Sequence, residues 1–297
     1  MNPIIDVLRH VDIPSSYLTK ALSRPFHLSW IMSGELSSLE KTMTVPLWHR
    51  AQASKAHPEI LNDIKAIELT NRLDYDFSIF EQRFVVEDSF RSAARARQFD
   101  DELKAYISIH PDASIMNLGA GLDTAFYRVD NGAIEWYDLD LPNIIALRKE
   151  LLPEPDRVKY IAKSLFDMSW YADIDRTDNG IFIVAKGILW FFEEADIKRL
   201  LSSLADALPG AELLCEACSK LGASIVNESL KSVDMDVKVK WELEDARVIT
   251  QWDSRLKLIE QTPAYLIPRE PPWGEQTLEK IEASDLTDAL SIVHLCV

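Results

Sequence analysis

The chain has 297 residues, 47% of them hydrophobic, enough for a sizeable buried core in one large α/β domain or two small ones. Its 48 acidic against 32 basic side chains leave a formal net charge of -16, a sign that repels nucleic acid and anionic membranes and excludes broad binding to either. The 3 cysteines make no disulfide framework, and the opening MNPIIDVLRHVDIP lacks a basic region followed by a long apolar run, so the expectation is a cytoplasmic protein.

Roughly the first 110 residues read as helices and loops. Ile60, Ile64 and Ile67 are expected on one helix face, and Phe99, Leu103, Tyr106 and Ile107 on another. Residues 1–90 are expected to cap the carboxyl edge of a sheet as part of the same domain, with the core spanning 91–297. From there strand-like runs at 114–118, 134–139, 158–162, 181–185, 212–216, 256–261 and 290–296 alternate with helical segments. Alternation of this kind predicts an α/β fold with a mostly parallel seven-stranded sheet and helices on both faces. The helix read most directly carries Ile197, Leu200, Leu201, Leu204 and Leu208 on one face and is stopped by Pro209-Gly210. PREPPWG at 268–274 reads as a loop, either a lid or a plain connection.

The first strand ends in Asn117-Leu118 and breaks into Gly119-Ala120-Gly121, followed by Asp123. Glycine has no side chain in the way, so a strand entering a Gly-x-Gly turn lets the backbone approach a ligand closely. The third glycine of the dinucleotide fingerprint would fall at Thr124, which leaves a pyrophosphate a poorer seat and favours a nucleoside without phosphates. In open α/β sheets the ligand lies beyond the carboxyl ends of the strands, and this position filters the remaining candidates. The second strand ends in Asp138-Leu139-Asp140-Leu141, with carboxylates about 20 residues past the glycines, where a ribose diol can be held. Asp140, at the strand end, is the first choice; a turn or helix cap is the alternative for either aspartate. After the third strand, Asp167 can accept from an exocyclic amine while Leu165 or Phe166 covers a ring, or Asp167 can simply cap a helix. Arg95 and Arg97, on the helix before the first strand, can meet a ligand carboxylate or make surface ion pairs. Cys215 and Cys218 have the C-x-x-C spacing but no second pair and no nearby histidine, so they are expected to be core thiols and no metal is predicted.

Three runs carry a family resemblance: NLGAGLDTAFYR from Asn117, WYDLDLPNIIALRKELLP from Trp136 and GILWFFEEADIKRLL from Gly187. The chain resembles the leucine carboxyl methyltransferase family, which includes polyketide-type O-methyltransferases, from about Met43 onward. The resemblance implies a Rossmann-like class I methyltransferase fold with S-adenosylmethionine on the strand ends. It implies that Arg95 holds the methionine carboxylate, Gly119 and Gly121 the amino-acid part, Asp140 the ribose, and Asp167 with Leu165 the adenine. Asn117, Ala120, Asp123, Asp138, Leu141, Phe166, Lys186 and Gly187 complete the candidate cofactor set. Trp190, Phe191 and Phe192, with Trp30 and Trp48 from the cap, are candidates for an apolar acceptor pocket. Family members often carry glutamate where this chain has Lys186, and arginine where it has Ala125. A lysine beside a sulfonium is unfavourable unless it turns toward Glu193, Glu194 or an anionic substrate. The expected activity is O-methylation of a small-molecule hydroxyl or carboxyl. Alternatives are a protein carboxyl methyltransferase, which needs a basic groove, a binding protein that no longer transfers methyl groups, and a nicotinamide-dependent oxidoreductase.

Overall fold

Seven short apolar-rich runs pair into one sheet in the computed structural model, which describes residues 36–175, 179–264 and 289–297. The strands are β1 (Ser114–Leu118), β2 (Glu135–Asp140), β3 (Val158–Ala162), β4 (Ile181–Ala185), β5 (Glu212–Cys218), β6 (Lys257–Pro263) and β7 (Leu290–Cys296). Their order is β3-β2-β1-β4-β5-β7-β6; β1 to β5 are parallel, and β7 runs antiparallel to both its neighbours. The expected mostly parallel sheet is therefore present. Strands β1, β3, β4 and β7 have the expected bounds, and the others shift or extend by a residue or two. Strand order reverses between β1 and β4, so a crevice opens outside the carboxyl ends of this pair.

The helices are α1 (Ser38–Lys41), α2 (Thr44–Ala56), α3 (Ile64–Arg72), α4 (Ser78–Arg83), α5 (Val86–Ile109), α6 (Phe126–Val129), α7 (Pro142–Leu151), α8 (Glu194–Ala207) and α9 (Lys220–Ser232). The period-two alternation of the strands feeds two cores. Met116, Leu118, Tyr137, Leu139, Ile183 and Cys215 point to the face covered by α8, whose Ile197, Leu200, Leu201 and Leu204 are buried there. Ile115, Trp136, Phe182, Leu214 and Cys218 point to the other face, covered by Phe99, Leu103, Tyr106 and Ile107 of α5. Both expected helix faces are thus present in α8 and α5, with Leu208 at the C-cap of α8. Cys215 and Cys218 sit in opposite cores as expected of core thiols, and burial pushes both thiols up to about 12.

One expected face is corrected. Asp63 caps α3 by accepting the Ala66 N–H at 2.9 Å, and this fixes the helix phase so that Ala66 and Leu69 turn inward. Ile64 is left 56% exposed, and Ile60 precedes the cap altogether. The PREPPWG stretch and Trp30 lie outside the described residues.

Helices α2, α3 and α5 are tied to the segment after β1 by a buried ion network centred on Asp63. Its Oδ2 accepts from Arg50 Nε at 3.0 Å, Arg128 at 2.7 Å and the Thr124 hydroxyl at 2.6 Å. Arg128 also donates to both oxygens of Asp100 on α5, at 2.6 and 2.9 Å. Burial pushes the Asp63 carboxyl up, but Arg128 and Arg50 outweigh it and hold the group below the usual carboxylate range. Asp63→Asn leaves these two guanidiniums undercompensated and should cost about 3 kcal/mol of unfolding free energy. With the folded pKa below the unfolded one, this stabilisation is present above about pH 4 and is lost as pH falls through the folded value. Urea titrations at pH 7 and pH 3 should therefore show the gap between variant and wild type closing on acidification; a gap that stays constant would remove Asp63 from this role.

Candidate active site

The described residues leave a cavity of about 530 Å³ between the cap helices α1, α2 and α5 and the carboxyl ends of β1, β2, β4 and β5. Its wall on the β1 side is the glycine turn. Gly119 and Gly121 have φ of 65° and 46°, a left-handed conformation that only glycine adopts without strain. A Cβ on Gly119 would stand 2.7 Å from Ile188 Cγ1, and one on Gly121 3.0 Å from Met43 Cβ. The turn is fastened to β2 by the Gly119 and Ala120 N–H groups, which donate to the Leu139 carbonyl at 2.9 and 3.1 Å. Asp140 closes the corner: its Oδ2 accepts from Gly121 N at 2.7 Å and its Oδ1 from Leu141 N at 2.7 Å. Burial nevertheless pushes this carboxyl up.

The two β2 aspartates have separate places. Asp138 is 1% exposed and lies behind the cavity wall, where it accepts from Asn117 Nδ2 at 2.8 Å, Trp136 Nε1 at 2.9 Å and the Arg148 guanidinium. Arg148 in turn donates to the carbonyls of Gly121 at 2.8 Å and Asp123 at 2.9 Å, while Arg50 donates to that of Leu122 at 3.1 Å. Three successive carbonyls of the turn are thereby held by buried guanidiniums. Asp138, expected to meet the cofactor, instead neutralises the arginine that shapes the turn.

Lys186, at the exit of β4, pairs with Asp123, a partner outside the alternatives of Glu193, Glu194 or an anionic substrate. Asp123 also accepts from the backbone N–H groups of Thr124 at 2.8 Å and Ala125 at 3.2 Å. Burial pushes the Asp123 carboxyl up, but Lys186, Arg50 and Arg128 hold it well below the usual range. The lysine charge is therefore already matched within the protein.

Farther along, Leu165 lines the cavity beyond β3. Phe166 and Asp167 do not line it. Phe166 packs edge-on against Phe192 at 4.8 Å, and Asp167 caps the 3-10 turn Met168–Asp173 by accepting from Ser169 N at 3.1 Å. Gly187, Trp190, Phe191 and Phe192 line the β4 side. Trp48 lies instead in the aromatic core, edge-on to Phe80 at 5.9 Å. Arg97 is a surface residue, 3.6 Å from Asp101.

Two groups in the cavity wall carry no signal in the motif reading. His49 on α2 stands 3.0 Å from the Ser89 hydroxyl, and burial with the nearby charges of Arg95 and Arg50 holds its pKa down to about 3, so it is neutral. Glu216, on β5, is 2% exposed and has Oε1 3.0 Å from Arg95 Nε. The strand-end filter reaches Glu216, the last residue of the expected fifth strand, but the flanking cysteines draw attention to C-x-x-C instead.

A glycine turn, a strand-end carboxylate and a switch-point crevice are shared by many α/β enzymes; the sequence comparison is more specific. Residues 44–205 match the model of the family described as leucine carboxyl methyltransferase, more than half of the chain. The chain belongs to the leucine carboxyl methyltransferase family. It is 32% identical over 183 residues to the tetracenomycin polyketide synthesis O-methyltransferase TcmP of Streptomyces glaucescens, covering 61% of this chain and 67% of that protein. It is 24% identical over 234 residues to the S-adenosyl-L-methionine-dependent methyltransferase dpfgK of Gibberella zeae, covering 71% and 78%. In fold it is similar to a DUF574 family protein of Streptomyces avermitilis, with a TM-score of 0.50 and 15% identity over 69% of this chain and 83% of that one. In this methyltransferase, Gly119→Ala forces a side chain into the left-handed region and against Ile188, which should cost at least about 1–2 kcal/mol. Thermal unfolding of the variant checks this; an unchanged midpoint would mean that the turn relaxes freely.

Proposed function

We infer that the protein is an S-adenosylmethionine-dependent O-methyltransferase whose acceptor is a polyketide-like small molecule. The observation that carries this reading is the convergence of Gly121 and Asp140, bonded at 2.7 Å, on one wall of the cavity beside the Gly119 cradle. An adenosyl group without phosphates fits this wall. The glycines allow close backbone approach, and Asp140 offers a half-buried carboxylate to a ribose diol. Thr124, where a dinucleotide site would need its third glycine, is 1% exposed and gives its hydroxyl to Asp63, so no pyrophosphate cradle forms there.

In this reading Arg95 holds the methionine carboxylate, Gly119 and Gly121 the amino-acid part, Asp140 the ribose, and Leu165 covers the adenine. Asn117, Ala120, Asp123, Leu141, Lys186 and Gly187 surround the cofactor, Asp138 acts from behind through Arg148, and Phe166 and Asp167 lie outside the cavity lining. Bound there, S-adenosylmethionine supplies a methyl group activated by a positive sulfur. The protein's own task is to align the acceptor and exclude water. Trp190, Phe191 and Phe192, with Phe84, give an apolar wall suited to a polycyclic acceptor. Likeness to the tetracenomycin enzyme supports an acceptor of that class. A protein carboxyl terminus is less well served, since the acceptor wall is apolar and the chain as a whole carries a net charge of -16. No described helix is long and apolar enough to cross a membrane, and a cytoplasmic location fits the cofactor.

Calorimetric titration tests the reading. S-adenosylmethionine should bind and NAD should not, and tighter NAD binding would refute it. Asp140→Ala should weaken S-adenosylmethionine by about 2 kcal/mol, roughly thirtyfold, through loss of a hydrogen-bonded charge. Unchanged affinity would reject the ribose role.

A further inference from the structure

One polar atom of the cap looks into the cavity with nothing bonded to it. His49 on α2 lines the cavity, while its hydrogen-bond partner Ser89 on α5 is 3% exposed and lies behind the wall. The bond uses Nδ1, at 3.0 Å. The two ring nitrogens of an imidazole point to different sides, so Nε2 is turned to the cavity, unbonded among the described residues and not sealed off by its neighbours. Phe84 packs on the ring at 4.5 Å and holds this orientation.

Ser89 also sets the tautomer. Its hydroxyl has no other partner among the described residues, so it donates to Nδ1 and the ring proton resides on Nε2. A helical serine often donates to a carbonyl one turn back; here the donor is given to the imidazole instead. Arg95 on α5 and Arg50 on α2 are the charged groups facing the ring, and with burial they keep it neutral. His49 is therefore an uncharged N–H donor to the cavity.

The course of α5 places this donor opposite the sheet edge. Tyr106 packs on Phe182 near the start of β4 at 4.7 Å, Phe99 has Lys186 of the β4 exit 5.7 Å from its ring centre, and Arg95 meets Glu216 of β5. Residues before Arg95 thus rise beyond the strand ends. Ser89 stands roughly 9 Å farther out along the helix axis than Arg95. His49 is in the roof, with Val45, Pro46 and Phe84, across the cavity from the glycine turn.

We propose that His49, aligned by Ser89, positions the acceptor by donating its Nε2–H to the ionised oxygen that takes the methyl group, a carboxylate or an acidic phenol. This rests on the S-adenosylmethionine reading above. A donor without charge orients an oxyanion without neutralising it, so a lone pair stays free to attack. That lone pair forms the new bond to the methyl carbon, the carbon–sulfur pair stays on sulfur, and His49 keeps its proton throughout. A neutral hydroxyl would first have to give up a proton, which a nitrogen already carrying one cannot take.

The test uses full-length protein loaded with S-adenosylhomocysteine, its histidine ring nitrogens isotopically labelled, and titrated at pH 8 with 2-naphthoate and with 4-nitrophenolate. Long-range proton–nitrogen spectra should show the His49 proton on Nε2, and the Nε2 signal should move as the anion binds. Movement with naphthoate supports the carboxylate form of the acceptor, and movement with nitrophenolate the phenol form. His49→Leu should bind the anion about tenfold more weakly, through loss of a bond to a charged group, with S-adenosylhomocysteine affinity unchanged. His49→Gln, which keeps a donor amide near the place of Nε2, should retain most of the affinity. Ser89→Ala should weaken the anion with His49 still present, which separates loss of alignment from misfolding of the Leu variant. In turnover, the wild-type pH profile should carry no step near the ordinary histidine pKa of about 6.5. A proton on Nδ1, an Nε2 signal that neither anion moves, or equal anion affinity in wild type and His49→Leu would overturn the assignment while leaving cofactor binding intact. Absence of S-adenosylhomocysteine binding by wild type would overturn the cofactor reading and this inference with it.

Discussion

Everything at the glycine-turn wall of the cavity depends on how two buried guanidiniums grip the backbone after β1. Arg148 and Arg50 take the carbonyls of Gly121, Leu122 and Asp123, and each arginine is neutralised from behind, by Asp138 and by Asp63. Burying these charges is unfavourable unless every one is paired and hydrogen-bonded, so the network tolerates few alternative arrangements. Its product is a fastened turn whose Gly121 N–H meets Asp140 at the cavity wall. Because Asp63 belongs to the cap and Arg128 to the segment after the turn, the same network fixes the roof of the cavity to its floor.

Backbone-level features were legible in the sequence because they follow from local pattern. Continuous apolar runs became β1 and β4, buried on both faces, and the heptad-like spacing of Ile197, Leu200, Leu201 and Leu204 became the inward stripe of α8. The pairing of glycine turn and acidic strand end was legible for the same reason, since both lie at the ends of adjacent parallel strands. What failed were assignments that depend on which way a polar side chain turns. Asp138 and Asp140 are two residues apart and on the same side of a pleated strand, yet one meets Arg148 behind the wall and the other meets Gly121. The partners that decide this come from α7 and the glycine turn, and no spacing within β2 encodes them. Ile64 failed similarly, because the cap at Asp63 set the phase of its helix.

Lys186 illustrates how a departure from a family pattern is absorbed. A positive side chain in place of the usual glutamate reads as hostile to a sulfonium, but the lysine is matched by Asp123, which is itself anchored by two backbone N–H groups. Negative charge near the β4 exit is supplied instead by Glu216 from the adjacent strand. The local charge balance of the site is thus kept by different residues on neighbouring elements.

The position of β7 bears on how the molecule is made. During synthesis β5 emerges with an unpaired outer edge, and β6 follows with no neighbour to join, because the strand that belongs between them comes last of the three. Only residues 290–296 close both edges. Before β7 pairs, the chain exposes a β5 edge open to intermolecular pairing.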